Sequence, residues 1–373
     1  MNNFHQQTKR LGVIVCKANH TPPFHEESYF KSLSMEAKKL GIQLIVFSPK
    51  SIDWNTRYVV AWQYQESSHR WVRTTSILPQ IIYDRCYYIN TKHFLSYKPY
   101  VTKIHQDPDC QILGRPLSGK WRTHEMLQTL PDLLPYLPNT HPWTESQGVL
   151  DFLRTHGSCL LKPNGGSHGR GIIAITSEGK EYLIRGRSQN NESFEHTINQ
   201  SSALQTWLKA FIGSARYIYQ PFLSLTTKDD RPFDVRILVQ KNRNLQWSTT
   251  GMAVRLGKPH TLTSNLHGGG SAERIIPFLS KHYPKQMPDI LTAIQWLSKH
   301  VPLYIEKQHG RLIELGLDVG IDRNGKVWLL EVNSKPGRTV FLRTGEKEVR
   351  TRSIELPIQY ANTLLEGIVG GKQ

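Results

Sequence analysis

The chain opens with a short apolar run, LGVIVC at residues 11 to 16. A proline-containing loop leads to the periodic segment SYFKSLSMEAKKLG, stopped by Gly41, and then to a second apolar run, IQLIVF. Two unbroken apolar runs around a helical period predict strand, helix, strand, the start of an α/β unit with a parallel sheet. After Pro49, VVAWQYQESSHRWVR alternates as a hairpin does, and PQIIYDRCYY reads as a further strand. A helix is predicted from Lys120 to about Leu130, followed by a proline-punctuated loop. From Gly148 the pattern gives a helix ending at Gly157, the strand CLLKP, a glycine-rich loop and the strand IIAIT. A turn at Glu178-Gly179 leads to YLIRGR, then a polar loop, the helix SALQTWLKAFIG and the strand RYIYQPFLSL. The rest carries the strands FDVRILVQK and QWSTTGMAVRLG, a helix around Ile290 to His300, a hairpin over 311 to 338 and a closing helix near Ile354 to Glu366. These changes of pattern divide the chain into an N-terminal α/β domain (1–117), a linker and helix (118–147), a small sheet-plus-helix subdomain (148–224) and a last unit (225–373).

The hairpin carries the most chemistry. Asn324-Gly325 signals a two-residue turn, and both flanks alternate apolar with polar residues. If Arg323 pairs with Lys326, Asp318 falls opposite Glu331. Asn333 then lies on the same face, opposite Gly316, whose missing side chain leaves room beside the amide. Facing carboxylates repel, more so when buried, and a divalent cation reverses the sign of that interaction. A solvated acidic hairpin is the plainer alternative, but these strands are too apolar to stand alone on a surface.

A second group of residues suits anions. The loop from Lys162 to Gly171, KPNGGSHGRG, places Gly165, Gly166, Gly169 and Gly171 around Ser167, so backbone N–H groups can turn toward a phosphate. A strand rather than a helix follows it, which distinguishes it from the P-loop and the dinucleotide fingerprint. Lys162 stands just before the loop, and Lys120 opens a helix after a glycine. Asp234-Val-Arg236 puts an acid and a guanidinium on one strand face, where the acid can hold the arginine. Arg255 precedes Asn265-Leu-His-Gly-Gly-Gly270, a further glycine turn able to wrap a phosphoryl group or a carboxylate.

Composition narrows the class. With 38% hydrophobic and 21% charged residues, 373 residues are enough for two or three compact units and argue against wholesale disorder. The formal charge of +17 is spread along the chain without a basic block or a nucleic-acid motif, so it points to phosphates or acidic partners rather than to nucleic acid. None of the sixteen histidines forms a zinc motif. Cys16, Cys86, Cys110 and Cys159 are dispersed, form no C-x-x-C pair and read as reduced thiols in a cytosolic setting. No signal-peptide core and no run of 18 apolar residues is present, so no membrane span is expected.

In order, Lys120, Lys162 with its glycine loop, Gln220-Pro-Phe-Leu223, Asp234-Val-Arg236, Asn265 with its glycines and Asp318…Glu331-Val-Asn333 resemble an ATP-grasp enzyme. More narrowly, YDR at 83 to 85, GKW at 119 to 121, LP-x-T at 137 to 140, RPFDVR at 231 to 236, and ELGLDVGID with EVNSKPGR are similar to the YheC/YheD-like, endospore coat-associated group of Bacillus-type bacteria. The resemblance implies an α/β (α+β) fold, in which a Rossmann-like pre-ATP-grasp domain precedes an ATP-grasp fold of two β-rich subdomains that clamp ATP. By motif, Lys120, Lys162 and the loop Gly165, Gly166, Ser167, Gly169 and Gly171 would contact the phosphates. Gln220, Pro221, Phe222 and Leu223 would form the hinge against adenine, with Gln220 where the superfamily often has Glu. Asp318, Glu331 and Asn333 would hold Mg²⁺, two ions in all, with Mn²⁺ as an alternative. Arg236, Arg255 and Asn265 would face the transferred phosphoryl group and the acceptor. The implied reaction is carboxylate–amine ligation through an acyl phosphate. The alternatives are a kinase of a small anionic substrate and a non-catalytic ATP-binding coat protein. Implied partners are ATP, an acidic or peptidic acceptor and spore-coat proteins, in the cytoplasm or at the endospore coat.

Overall fold

A computed structural model describes residues 8–166, 169–259, 261–262, 264 and 269–370. The first of its three sheets contains β1 (Lys9–Ile14), β2 (Ile42–Asp53), β3 (Tyr58–Gln65), β4 (Arg70–Ile77), β5 (Ile81–Asp84) and β6 (Gln111–Leu113), in the order β4-β3-β2-β1-β5-β6. β1 runs parallel to β2 and β5, β5 runs parallel to β6, and the β3–β4 hairpin adds an antiparallel edge. The near-continuous apolar run of β1 follows from cover on both faces. On one face Leu11 and Val13 meet Phe30 and Leu33 of the helix Glu27–Lys39, together with Ile358, Ala361 and Leu365 of the last helix. On the other, Ile14 and Ile82 meet Tyr97, Val101 and Ile104 of the helix Thr91–Gln106. The closing helix is longer than its apolar pattern suggests, Lys347–Gly370, and returns the chain's end to the first sheet. Pro49 does not end β2; it sits where the β2–β3 register slips, between Phe47 and Ile52, so its missing N–H breaks no ladder.

The second sheet is formed by β7 (His141–Pro142), β8 (Ser158–Pro163), β9 (Ile173–Glu178), β10 (Glu181–Arg187), β11 (Ser193–Ile198) and β12 (Tyr217–Gln220). The segment expected to be a polar loop is β11, an edge strand whose side chains are exposed apart from the part-buried Phe194 and Ile198, which is why its apolar signal is weak. β12 stops at Gln220 because Pro221 cannot continue the ladder, so the rest of QPFLSL leaves the sheet as a connector. The third sheet holds β13 (Phe233–Lys241), β14 (Trp247–Leu256), β15 (Ser271–Arg274), β16 (Glu314–Ile321) and β17 (Val327–Asn333), ordered β15-β14-β13-β16-β17. The helix Met287–His309 covers one of its faces through Ile290, Ile294, Leu297, Val301 and Ile305. Three helices carried no sequence expectation, Thr91–Gln106, Ile275–His282 and the short Thr339–Arg343; the first is interrupted in pattern by Pro99 and capped by the side chain of Asn90, which accepts from the His93 N–H at 2.9 Å.

Candidate functional site

Two adjoining cavities of about 230 Å³ each open between the second and third sheets. Lys120, Lys162, Gly165, Gly166, Gln220 and Glu331 line both. Asn333 faces the first, while Phe222, Leu223, Gly169, Asp234 and Asp318 face the second. Pro221 and Gly171 line neither; the Gly171 carbonyl instead accepts from the Tyr217 hydroxyl at 3.0 Å. Ser167 and Asn265, both expected at the phosphates, lie outside the described residues.

The acidic hairpin reaches the expected pairing by a different route. Its turn is one residue longer than the two-residue type: Asp322 pairs with Lys326, the Gly325 N–H donates to the Asp322 carbonyl at 2.9 Å, and Gly325 takes φ 85°. The Asp322 carboxylate fixes this turn by accepting from the N–H groups of Asn324 and Lys326 at 2.9 and 3.0 Å. That shift alone would move Asp318 off Glu331. A bulge restores the register: Val319 pairs with Leu329 but Asp318 pairs with Glu331, which leaves Leu330 as the extra residue. Asn333 then stands opposite Gly316, as the strand period requires. The space at Gly316 is already filled, since a Cβ there would lie 2.8 Å from Cβ of Pro336. Gly316→Ala should therefore cost about 1–3 kcal/mol of stability by overpacking against a ring that cannot swing away. Equilibrium urea unfolding measures this; a change within error would mean that the β17 end yields freely.

The partner of Asp234 is a correction. Asp234 and Arg236 share a strand face, but Asp234 holds Arg255, directly opposite on β14, through two hydrogen bonds of 2.6 Å. Arg236 instead donates to Asp318, opposite on β16, at 2.6 and 3.1 Å. Residues facing each other across a ladder lie closer than residues two apart on one strand, so the cross-strand partners win. Arg255 also reaches Asp318 at 3.0 Å, linking the two pairs into one network. Neither arginine lines the two cavities; both stand behind the carboxylates they hold. Burial works to raise the Asp318 pKa, but Arg236 and Arg255 outweigh it and hold the carboxyl below its ordinary range.

Lys162, on β8, is buried and its Nζ donates to the carbonyl of the bulged Leu330 at 3.5 Å. Burial pushes its pKa down to about 8; Lys120 adds to the fall, while Glu331 and Asp318 oppose it. Lys120 sits 3.3 Å from Glu331 and donates to the Gly166 carbonyl at 3.2 Å. Asn164, not singled out from the sequence, ties the glycine loop to this helix: its carbonyl accepts from the Lys120 N–H at 2.8 Å and its side chain from the Trp121 N–H at 2.7 Å. The signal for it was available, an asparagine just ahead of a double glycine.

Two carboxylates and an amide oxygen form a hard donor set, of the kind that suits Mg²⁺. Among the described residues Asp318 Oδ2 accepts from Arg236, Arg255 and the Asn333 amide, whereas Oδ1 accepts only from Arg236, which leaves it the more open atom. Among the described residues no group of three or more His, Cys, Asp or Glu gathers as a metal site, so any ion here depends on Asn333 beside the two acids.

Residues 109–364 match the family model described as YheC/D like ATP-grasp. The chain is 33% identical over 324 residues to the endospore coat-associated protein YheC of Bacillus subtilis (strain 168), a match covering 87% of this chain and 89% of that protein. Among solved structures it is similar to a Chryseobacterium gregarium RiPP-associated ATP-grasp ligase in complex with ADP and a leader and core peptide. That likeness has a TM-score of 0.52 and 11% identity, over 98% of this chain and 97% of the other. It is also similar to the ATP-grasp ligase PsnB complexed with minimal precursor, Mg and ADP, with a TM-score of 0.51 and 12% identity, over 92% and 98% of the two chains. At such identities the structural likeness speaks to the fold, and it is the same fold that the three sheets and their intervening cleft describe. With the family match spanning most of its length, the chain belongs to the YheC/D-like ATP-grasp family.

Proposed function

We propose that the protein is an ATP- and Mg²⁺-dependent ligase that joins a carboxylate to an amine through an acyl phosphate. The observation that carries this reading is the meeting of two lysines, Lys120 and Lys162, with the Asp318, Glu331 and Asn333 hairpin in one cleft. Adenine would lie against Gln220, Phe222 and Leu223, and the phosphates over Lys162, Lys120 and the amides of the glycine loop. A Mg²⁺ ion held by Asp318, Glu331 and Asn333 would neutralise charge on the phosphate oxygens. An acceptor carboxylate oxygen bonds to the γ-phosphorus as the bond to ADP breaks. The amine then attacks the acyl carbon, inorganic phosphate departs and the amine loses its proton. Arg236 and Arg255 act in this scheme as positioning residues, keeping Asp318 ionised and holding Asp318 and Asp234 in place. The complexes of PsnB with Mg, ADP and precursor, and of the Chryseobacterium ligase with ADP and peptides, support a nucleotide-dependent reaction on a peptidic acceptor. The likeness to YheC supports association with the endospore coat.

The test is product analysis with Mg·ATP and a panel of carboxylates and amines. ADP, phosphate and a condensed product are expected. AMP and pyrophosphate would refute the mechanism, and a stable phosphorylated acceptor would assign a kinase instead.

The lowered pKa of Lys162 gives a pH prediction. The free protein holds its proton below about pH 8 and sheds it above. Bound phosphates favour the ammonium and raise that pKa, so nucleotide affinity is complete below pH 8 and falls above it, approaching about tenfold per pH unit. Calorimetry with AMPPNP and no added divalent cation should show this slope. Lys162→Met should bind more weakly and lose the slope between pH 8 and 9; an unchanged slope would remove Lys162 from the phosphates.

A further inference from the structure

We infer that a third cavity, between the first sheet and the glycine-rich loop, is the acceptor site and is built for an acidic amino acid or a short acidic peptide. The inference rests on the nucleotide reading above and assigns the second substrate to a place of its own. The cavity holds about 590 Å³, more than either cavity of the nucleotide cleft. Its floor is the point where the first sheet changes direction. β1 lies between β2 and β5, so the chain leaves their carboxyl ends toward opposite sides, which opens a crevice of the kind where α/β sheets bind ligands. Cys16 and Lys17 follow β1 into it, and Arg85, Tyr87 and Tyr88 follow β5. The opposite wall is Gly165, Gly166 and Arg170, which also line the nucleotide cleft. A molecule seated here lies against the loop that the proposed function places on the phosphates.

The charge of this cavity selects the ligand. Lys17 and Arg170 are exposed, and neither side chain forms an ion pair among the described residues. The acidic residue of the lining, Glu26, is already satisfied: both its oxygens accept from Arg85, at 2.6 and 3.1 Å. Two cations without a carboxylate partner among the described residues, lining one ligand-sized cavity, call for an anion with separated negative groups. Aromatic walls from Tyr87 and Tyr88, and Ile89 at 83% exposure, give apolar contact to an organic body that a bare inorganic ion cannot use. The floor is also fixed to the hairpin carrying the proposed metal ligands. Lys335, two residues past Asn333, donates to Asp84 at 2.8 Å and to the Cys86 carbonyl at 2.7 Å, and Arg85 reaches Glu314 of β16 at 3.1 Å.

Calorimetric titration of the full chain with AMPPNP and Mg²⁺, then with L-Glu-L-Glu, L-Gln-L-Gln or inorganic phosphate, tests the assignment. L-Glu-L-Glu should bind, with L-Gln-L-Gln and phosphate weaker by about tenfold or more. Lys17→Glu should weaken L-Glu-L-Glu by a similar factor and leave AMPPNP affinity unchanged, and Lys17→Arg should restore it. Equal binding of the neutral dipeptide or of phosphate overturns the proposal. So does undiminished L-Glu-L-Glu binding by Lys17→Glu, or no L-Glu-L-Glu binding by a protein that takes up AMPPNP. Loss of AMPPNP binding with L-Glu-L-Glu binding intact would instead overturn the nucleotide reading and leave the anion cavity standing.

Discussion

Glu331→Gln should lower ATP turnover on the order of 10²–10³-fold or more while leaving the protein's stability close to that of the parent. Glu331 is only partly buried; it pairs with Lys120 at 3.3 Å and helps the buried Lys162 keep its proton, a role that Asp318 shares and retains after the substitution. What it removes is one of the two anionic oxygen ligands proposed for the cation. Substitution of its cross-strand partner separates function from folding less cleanly. Asp318 is buried and accepts from both Arg236 and Arg255, so Asp318→Ala leaves Arg255 with Asp234 and takes from Arg236 the carboxylate it holds. Removing one member of a buried ion network costs about 3–5 kcal/mol, so Asp318→Ala should lose both activity and stability. Steady-state ADP release and equilibrium urea unfolding, measured on both variants, distinguish the two sites. Parent-like turnover by Glu331→Gln would remove the hairpin from the chemistry. Parent-like stability of Asp318→Ala would mean that the arginines find other partners.

Glu314→Gln should be the most damaging substitution to the fold, by about 3–5 kcal/mol, though it lies outside the nucleotide cleft. Glu314 is fully buried and accepts from Arg85, Arg338, the Tyr83 hydroxyl and the Gln240 amide. Arg85 and Tyr83 belong to the first sheet's strand β5 and its exit, whereas Glu314 and Gln240 belong to the third sheet, so this carboxylate joins two units. Glutamine keeps the shape but removes the charge that compensates two buried guanidiniums, and Glu26, part-exposed, remains for Arg85 alone. Urea unfolding should shift to a lower midpoint. A second, earlier transition would show that the first sheet's docking fails before the rest. A shift below about 1 kcal/mol would mean that the network is not under the electrostatic load its burial implies.

Several parts of the site were legible in the chain. Lys162 ahead of four glycines, and Lys120 at a helix start, are local patterns whose chemistry does not depend on distant residues. Asp318 opposite Glu331 was also foreseen, but through two departures that cancel: a turn one residue longer than Asn324-Gly325 suggests, and a bulge at Leu330 that recovers the register. The bulge had no sequence signal because Leu330 is an ordinary apolar strand residue. The β11 edge strand was hidden for the opposite reason, since only Phe194 and Ile198 of its inner face are part-buried and the polar residues between them mask the alternation. Asp234 illustrates a wrong partner rather than a wrong element: strand period placed it beside Arg236, and only the pairing of β13 with β14 and β16 assigned the guanidiniums.

The sequence by itself determined the elements whose signals are local: the parallel strand-helix-strand opening, the glycine loop with its lysine, and the facing acids of the last hairpin. Side-chain periodicity and turn chemistry act over a few residues and can be read along the chain. The tertiary structure alone decided which charges neutralise which, that the closing helix and Glu314 bind the first sheet to the third, and that the end of β1 faces the glycine loop across a cavity. Those outcomes come from contacts between residues up to hundreds of positions apart, where burial sets the strength of each charge and the packing of whole sheets sets its partner.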